Sequence, residues 1–421
     1  MMDLVGERAS VPQVRDIVGK RVAVAKNCVV LPALIWAAAS FSAWGLARAA
    51  DSRSPITTTT TAEPGQAAEV ARLVRELGAA TFMARQHAQR ALVAIGPIAR
   101  PAVEAACQDP DHEIRQRARQ VLAAIADVDF HARLRAFLAD QDAENGHGLA
   151  GWQRYRSLAG ATPASRRLFA DMQRAERELL DAVAEAPAKA GALLDERCQQ
   201  VEHLTQDGDS SRPSQLSLAT TAALLFAASN PDVPISGHAG NCLHTVGNQT
   251  ALAQALNTRP AAVIIRGLLN AWISRPFERD SLTAYRNLLL AMQYNLKDAV
   301  QPALALLGPP GGPSNLEPFA ILTIGKLGGP EHLPALEPIL KDERAIDAVD
   351  RGGQKSNTQI RDVALAAMIH LTRQKLSDYG FAHAKTHPYY LFNTNTLGFN
   401  DPAAREAALK KWLAWAEKQS K

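Results

Sequence analysis

The sequence predicts an all-α fold of stacked helical hairpins, on three observations. The first is composition: 421 residues, 47% hydrophobic and 21% charged, make ordinary globular chain sufficient for one large or two to three modest domains. Aromatic residues are only 5% and alanine is abundant, which suits close helix packing because alanine has the best helix propensity and loses no side-chain entropy. The second is a line written twice. "FMARQHAQRALVAI" (82–95) returns thirty residues later as "HEIRQRARQVLAAI" (112–125). The apolar positions are Ala84, Ala88, Ala91, Leu92 and Ile95, then Ile114, Ala118, Val121, Leu122 and Ile125; both sets fall at offsets 0, 4, 7, 8 and 11, which is one face of a helix and no face of a strand. The third is the return of this template in "IRDVALAAMIHL" (360–371), with Ile360, Ala364, Ala367, Met368 and Leu371 on the face. Arg85, Arg115 and Arg361 occupy the second position of the three copies.

The elements follow in order. In residues 1–50, Lys20, Arg21 and Lys26 precede the uncharged stretch "CVVLPALIWAAASFSAWGL" (28–46), and "ARAA" (47–50) supplies a small-x-small cleavage pattern. This reads as a signal peptide. At 19 residues the run is also just long enough to span a bilayer, so an uncleaved signal anchor is the alternative. Cys28 lacks the small-residue setting of a lipoprotein cysteine. Removing the segment takes away six basic residues (Arg8, Arg15, Lys20, Arg21, Lys26, Arg48) and three acidic ones (Asp3, Glu7, Asp16), leaving 40 basic against 39 acidic and a net charge of +1. That balance excludes an electrostatic case for nucleic acid. Cys107, Cys198 and Cys242 remain, an odd number that permits at most one bridge.

Residues 51–66, "DSRSPITTTTTAEPGQ", hold five consecutive threonines between prolines and read as a linker. Residues 67–140 are the N-terminal repeats. Here "ARPAVEAACQD" (99–109) precedes the second template copy and aligns with "HLPALEPILKD" (332–342) before the third. Asp109-Pro110-Asp111 provides turn and N-cap chemistry, and Gly96 and Gly325, ending "ALVAIG" and "AILTIG", are predicted C-caps. The central region, 141–314, is helical without a clear repeat; helices are predicted at 165–183, 216–229, 261–273 and 282–296, and Ile265, Arg266, Leu269, Trp272 and Ile273 follow the template loosely. "GPPGGPSN" (308–315) is the strongest internal break and a candidate subdomain boundary. Residues 315–421 return to the repeat, interrupted by the insertion "ERAIDAVDRGGQKSNTQ" (343–359). They end in a capping helix, 401–418, whose predicted inner stripe is Ala404, Ala408, Trp412 and Trp415, with Arg405, Glu406, Lys410 and Lys411 outside it. "HPYYLFNTNTLGF" (387–399) is expected to pack over the apolar end of helix 360–371.

The template and its partner helices, over 67–126 and 318–372, resemble HEAT-like helical repeats of the short bacterial type, also seen in bilin-lyase-like proteins. The resemblance implies an α-solenoid with a right-handed superhelix. Helices of about a dozen residues are marginal alone and a two-helix unit cannot bury its apolar face, so each copy must cover the next.

Catalytic chemistry finds little support. His238, Cys242 and His244 in "GHAGNCLHT" are zinc-ligand types without a fourth ligand or a zinc spacing, and a polar loop is the expected structure. Ser236 lies in no strand-elbow-helix setting. "GPPGGP" has prolines where a phosphate loop needs backbone N–H groups. Glu343, Asp347 and Asp350 lack calcium-loop spacing. Arg85, Arg115 and Arg361 could form a ladder for an acidic ligand, but a residue fixed by repeat position more simply serves the preceding turn. Trp412 and Trp415 are expected to pack rather than meet a partner. The expectation is therefore an exported, periplasmic or cell-envelope scaffold that binds protein partners on a concave surface. It has no predicted catalytic, metal or cofactor residues and meets a membrane only through an uncleaved anchor. The alternative is an enzyme or lyase-like accessory with a site in 141–314.

Overall fold

The repeated line becomes two helices started in the same way. The computed structural model describes residues 64–140, 144–206, 216–275, 282–308, 315–346 and 358–419, so the export segment, most of the threonine-rich stretch, Asp347 and Asp350 lie outside the described residues. Helix α1 (Pro64–Glu76) begins inside the stretch read as linker. In α2 (Phe82–Ile95) the N-cap Thr81 hydroxyl accepts from Ala84 N. Gly96 ends that helix at φ 72°, a left-handed conformation that glycine adopts without strain. After a 3-10 turn at Gly96–Ala99 come α3 (Arg100–Ala106) and α4 (His112–Ala139), the latter capped by the Asp111 carboxylate on Glu113 N at 2.8 Å. These helices enclose a first core that includes Leu73, Leu92, Val103, Val121 and Ile125. Of the ten template positions, Ala88, Leu92, Ala118, Val121 and Ile125 are buried and the other five half-buried.

Helix α4 is 28 residues long and leaves that core midway. Its second half carries Phe130, Leu134 and Phe137 into a larger core that runs to Trp412. That core is built by α5 (Trp152–Ala159), α6 (Pro163–Ala175), α7 (Arg177–Glu185), α8 (Pro187–Gln206), α9 (Leu218–Ser229), α10 (Gly237–Gly247), α11 (Thr250–Asn257), α12 (Ala261–Ile273), α13 (Leu282–Tyr294), α14 (Val300–Leu306), α15 (Glu317–Leu327), the single turn α16 (Leu333–Leu336), α17 (Ile360–Leu371) and α18 (Pro402–Gln419). Among the described residues the fold is all-helical, with only two isolated bridges, Ala345 with Gln359 and Thr386 with Phe392. Leu306 and Leu316 belong to one core on either side of 308–315.

Helices two or three elements apart in the chain meet one another. Contacts run from α8 to α10, α10 to α13, α13 to α15, α15 to α17 and α17 to α18, and beside this row from α7 to α9 and α9 to α12. Polar contacts from α8 to α10, α10 to α13, α9 to the end of α12 and α17 to α18 span 41 to 47 residues: Ser236 to Asp195, Cys242 to the Cys198 carbonyl, Arg286 to Asn241, Tyr294 to the Gly247 carbonyl, Arg275 to the Ala228 carbonyl and Arg405 to Asp362; from α13 to α15 the ring pair Tyr285–Phe319 spans 34. Where α12 crosses α5 the approach is so close that a Cβ at Gly267 would lie 2.0 Å from the Leu158 carbonyl oxygen, so no other residue fits.

Five expectations are corrected. The helix expected over 165–183 is two, broken at Glu176, which leaves helical dihedrals (φ −140°, ψ 44°) and is held by Arg197 at 3.0 Å. The partner helix expected over 332–342 is a chain of short turns, because Pro334 and Pro338 remove the N–H groups a continuous helix needs. Gly325 is no C-cap but lies inside α15, where a Cβ would come within 2.9 Å of Ala367 and of Leu391; Gly328 ends the helix. "GHAGNCLHT" is no loop but most of α10, started by the Ser236 hydroxyl on Ala239 N. In α18 the inner face is Arg405, Ala408, Leu409 and Trp412, with Trp415 half-buried, while Ala404 is exposed. Arg405 is inside because it has a buried partner: its guanidinium donates twice to the Asp362 carboxylate, at 2.8 and 3.1 Å.

Candidate functional site

The template arginines serve the turns that precede them. Arg85 Nη1 donates to the Ala79 and Ala80 carbonyls (2.8 and 3.2 Å), and Arg115 Nη1 to those of Asp109 and Pro110 (both 2.7 Å). In each case the carbonyls stand six and five residues back, so repeat position dictates the contact. Arg361 departs from the pattern because the insertion 343–359 replaces its short turn; it bonds Gln359 (2.6 Å) and pairs with Glu343 (3.0 Å) and Glu406 (3.2 Å).

The three zinc-type side chains of α10 do not converge. His238 faces Glu202 at 3.9 Å, Cys242 is buried against Cys198 of α8, and His244 is buried against the Trp272 ring at 5.1 Å. Among the described residues no group of three metal-ligating side chains forms. Burial holds His244 down to about 4, with Arg286 adding to the effect. The Cys198 thiol is pushed up by its hydrogen bond with Cys242 and by burial. Cys107 lies in the other core, half-buried. Ser236 is spent on the α10 cap and on Asp195. Trp412 and Trp415 pack together at 5.0 Å, and Trp412 also meets Tyr379.

A concave feature lies elsewhere. A cleft of about 700 Å³ separates the C-terminal ends of α15 and α17, lined by Lys326, Pro330, His370, Arg373 and Gln374 among others. No aspartate or glutamate is among its described lining residues. The segment 383–399 forms its rim: Lys326 Nζ donates to the Tyr389 carbonyl, Phe392 sits edge-on to His370 at 5.8 Å, and His387 stacks on Tyr390 at 4.1 Å. Burial pushes the Lys326 ammonium and the His370 imidazole below their ordinary values; His387 is lowered by burial and then by the Lys326 charge.

The end of α17 shapes one wall. Gln374 N donates to the Ile369 carbonyl (3.0 Å) and Arg373 N to that of His370 (2.9 Å), the paired bonds that close a helix over a left-handed residue. That residue is Arg373, at φ 58°, where glycine is the usual occupant. Sequence reasoning passed over Lys326, His370 and Arg373; the available signal was a helix end, "IHLTRQK" (369–375), with no glycine or asparagine to take the left-handed position.

A smaller cleft of about 290 Å³ lies between Leu307 and Asp342. Its carboxylates are already engaged, since Arg344 clamps both Glu317 and Asp342. No protein-family model, curated protein or solved structure matches this chain.

Proposed function

We propose that the chain is an exported HEAT-like scaffold, a stack of helical hairpins that binds protein partners along its surface without catalysis. The observation that carries the reading is the 41-to-47-residue spacing of the contacts from α8 to α10 and from α10 to α13, the length of one HEAT or armadillo unit. Each helix of the main row touches the one before and the one after, together with its neighbours in the chain, and a solenoid is built from such nearest-neighbour contacts. The right-handed superhelix implied by the resemblance belongs to this proposal, as does export, which rests on the basic residues, the apolar run and "ARAA" of 20–50. A stack of this kind exposes a long ridged surface.

Capture of the chain from the native envelope fraction, after chemical cross-linking in intact cells, tests the reading. A protein recovered at fixed stoichiometry and cross-linked to α-helical surface residues of several successive units supports it. Recovery of the full-length chain from the soluble cytoplasm, with no cross-linked partner, overturns it. Mass determination of the recovered polypeptide is expected to find a start near Ala50 or Asp51.

A further inference from the structure

We infer that the cleft between the ends of α15 and α17 is a binding site for a small ligand bearing an oxyanion, a phosphate or a carboxylate. This does not depend on the scaffold reading. Its volume, about 700 Å³, is that of a small-molecule site. Three side chains that carry or accept positive charge line it, Lys326, His370 and Arg373, and no carboxylate among the described lining residues opposes them.

Cations gather at helix C-termini for a simpler reason, because the last carbonyls there are partially negative. At the end of α17 the backbone already answers most of that pull. The closing carbonyls of α17 already have partners: Met368 accepts from Thr372 N and Oγ1 (3.1 and 3.0 Å), Ile369 from Gln374 N and His370 from Arg373 N. Among the described residues the side chains of His370 and Arg373 make no hydrogen bond or ion pair, and Lys326 has only the Tyr389 carbonyl. Lys326 is half-buried and His370 and Arg373 are exposed at the cleft, so the two permanent charges there, Lys326 and Arg373, are free to meet a ligand from solvent.

Arg373 adds the second observation. An L-residue with a side chain is strained at φ 58°, and glycine closes the same helix end at no such cost. Strain held at the lip of a cleft points to use of the side chain. A guanidinium offers a planar fork matched to two oxygens of a phosphate or carboxylate, Lys326 a point charge beside it, and Pro330 and Leu371 an apolar wall for the rest of the ligand.

The test is isothermal titration calorimetry of the full chain with inorganic phosphate, pyrophosphate and citrate in separate runs, at two salt concentrations. One saturable site for at least one of them is expected, weakened by salt; pyrophosphate ahead of citrate assigns a phosphate ligand, and the reverse a carboxylate. Arg373→Gly is expected to raise the melting temperature while weakening binding tenfold or more, about 1.4 kcal/mol. Lys326→Met is expected to weaken it similarly, and Arg100→Gln, far along the chain in α3, to leave it unchanged. Absence of saturable binding by all three probes overturns the inference. So does binding that survives both variants, or a lower melting temperature for Arg373→Gly, which would make the side chain a structural contact.

Discussion

The first core, over 64–126, and the second, from Phe130 to Trp412, are built from the same template to different ends. In the first, helices α2 and α4 each bury one stripe and leave the rest to water; α2 has only Ala88 and Leu92 fully buried. In the second, α17 is the same line written for immersion: ten of its twelve residues are buried, Asp362 among them. Contacts between α2 and α4 span about thirty residues, as from Arg117 to Gln89 (28) and Gln89 to Gln120 (31), whereas those from α8 to α10 and from α10 to α13 span 41 to 47. In the first core α2 and α4 each leave an outer face bare. In the body, where α17 is buried nearly all round, polar groups taken inside must be paired.

The comparison breaks first if the two cores are one cooperative unit. Val121→Asp forces a charge into the fully buried face of α4 and is expected to abolish the first core, a cost of about 4 kcal/mol or more. Circular dichroism with temperature should then show partial helix loss under native conditions and a body that melts near its original temperature. A single downward-shifted transition would mean that α4 couples the two throughout. Leu122→Asp, at a half-buried position, is expected to cost clearly less.

Arg405→Ala comes next, because it strands the Asp362 carboxylate, 1% exposed, without its counter-charge. The expected loss is about 3–5 kcal/mol in urea unfolding. Replacing both partners by Met and Leu should recover most of it; failure to recover would mean that Asp362 matters chiefly through its bond from Gln359 N at 2.8 Å.

Acid should separate the regions more gently. The folded state holds His244 near 4 against an ordinary 6.5, so the unfolded chain binds the extra proton between those values. Stability is therefore full above about pH 6.5 and falls as the pH drops towards 4, by about 3 kcal/mol in total from this group. The loss belongs to the body alone. His244→Leu is expected to flatten the pH dependence of body melting over that range, and an unchanged slope would assign the effect to other groups.

Smallest is Arg115→Ala, which removes two bonds to the 109–110 turn from a half-buried guanidinium. About 1–2 kcal/mol is expected, confined to the first core. By contrast Arg100→Ala, breaking an exposed pair with Glu104, should change stability by less than about 0.5 kcal/mol. Equal effects of these two would show that the turn clamp contributes nothing.

What the sequence determined by itself is what local chemistry dictates. Offsets of 0, 4, 7, 8 and 11 mark α2, α4 and α17 as helices, Asp111 places the start of α4 and Gly96 the end of α2, and position in the repeat aims Arg85 and Arg115 at the turn behind them. Each of these rests on neighbours within a turn or two. Tertiary structure alone decided the rest. Helix α9, with ten of twelve residues buried, carries no stripe to read, so its place in the packing was invisible. Arg405 looked like solvent-facing charge until a carboxylate 43 residues away proved to be buried beside it. The cleft joins Lys326, His370 and Arg373 from two helix ends across the insertion 343–359, a juxtaposition set by stacking distance, which no spacing along the chain encodes.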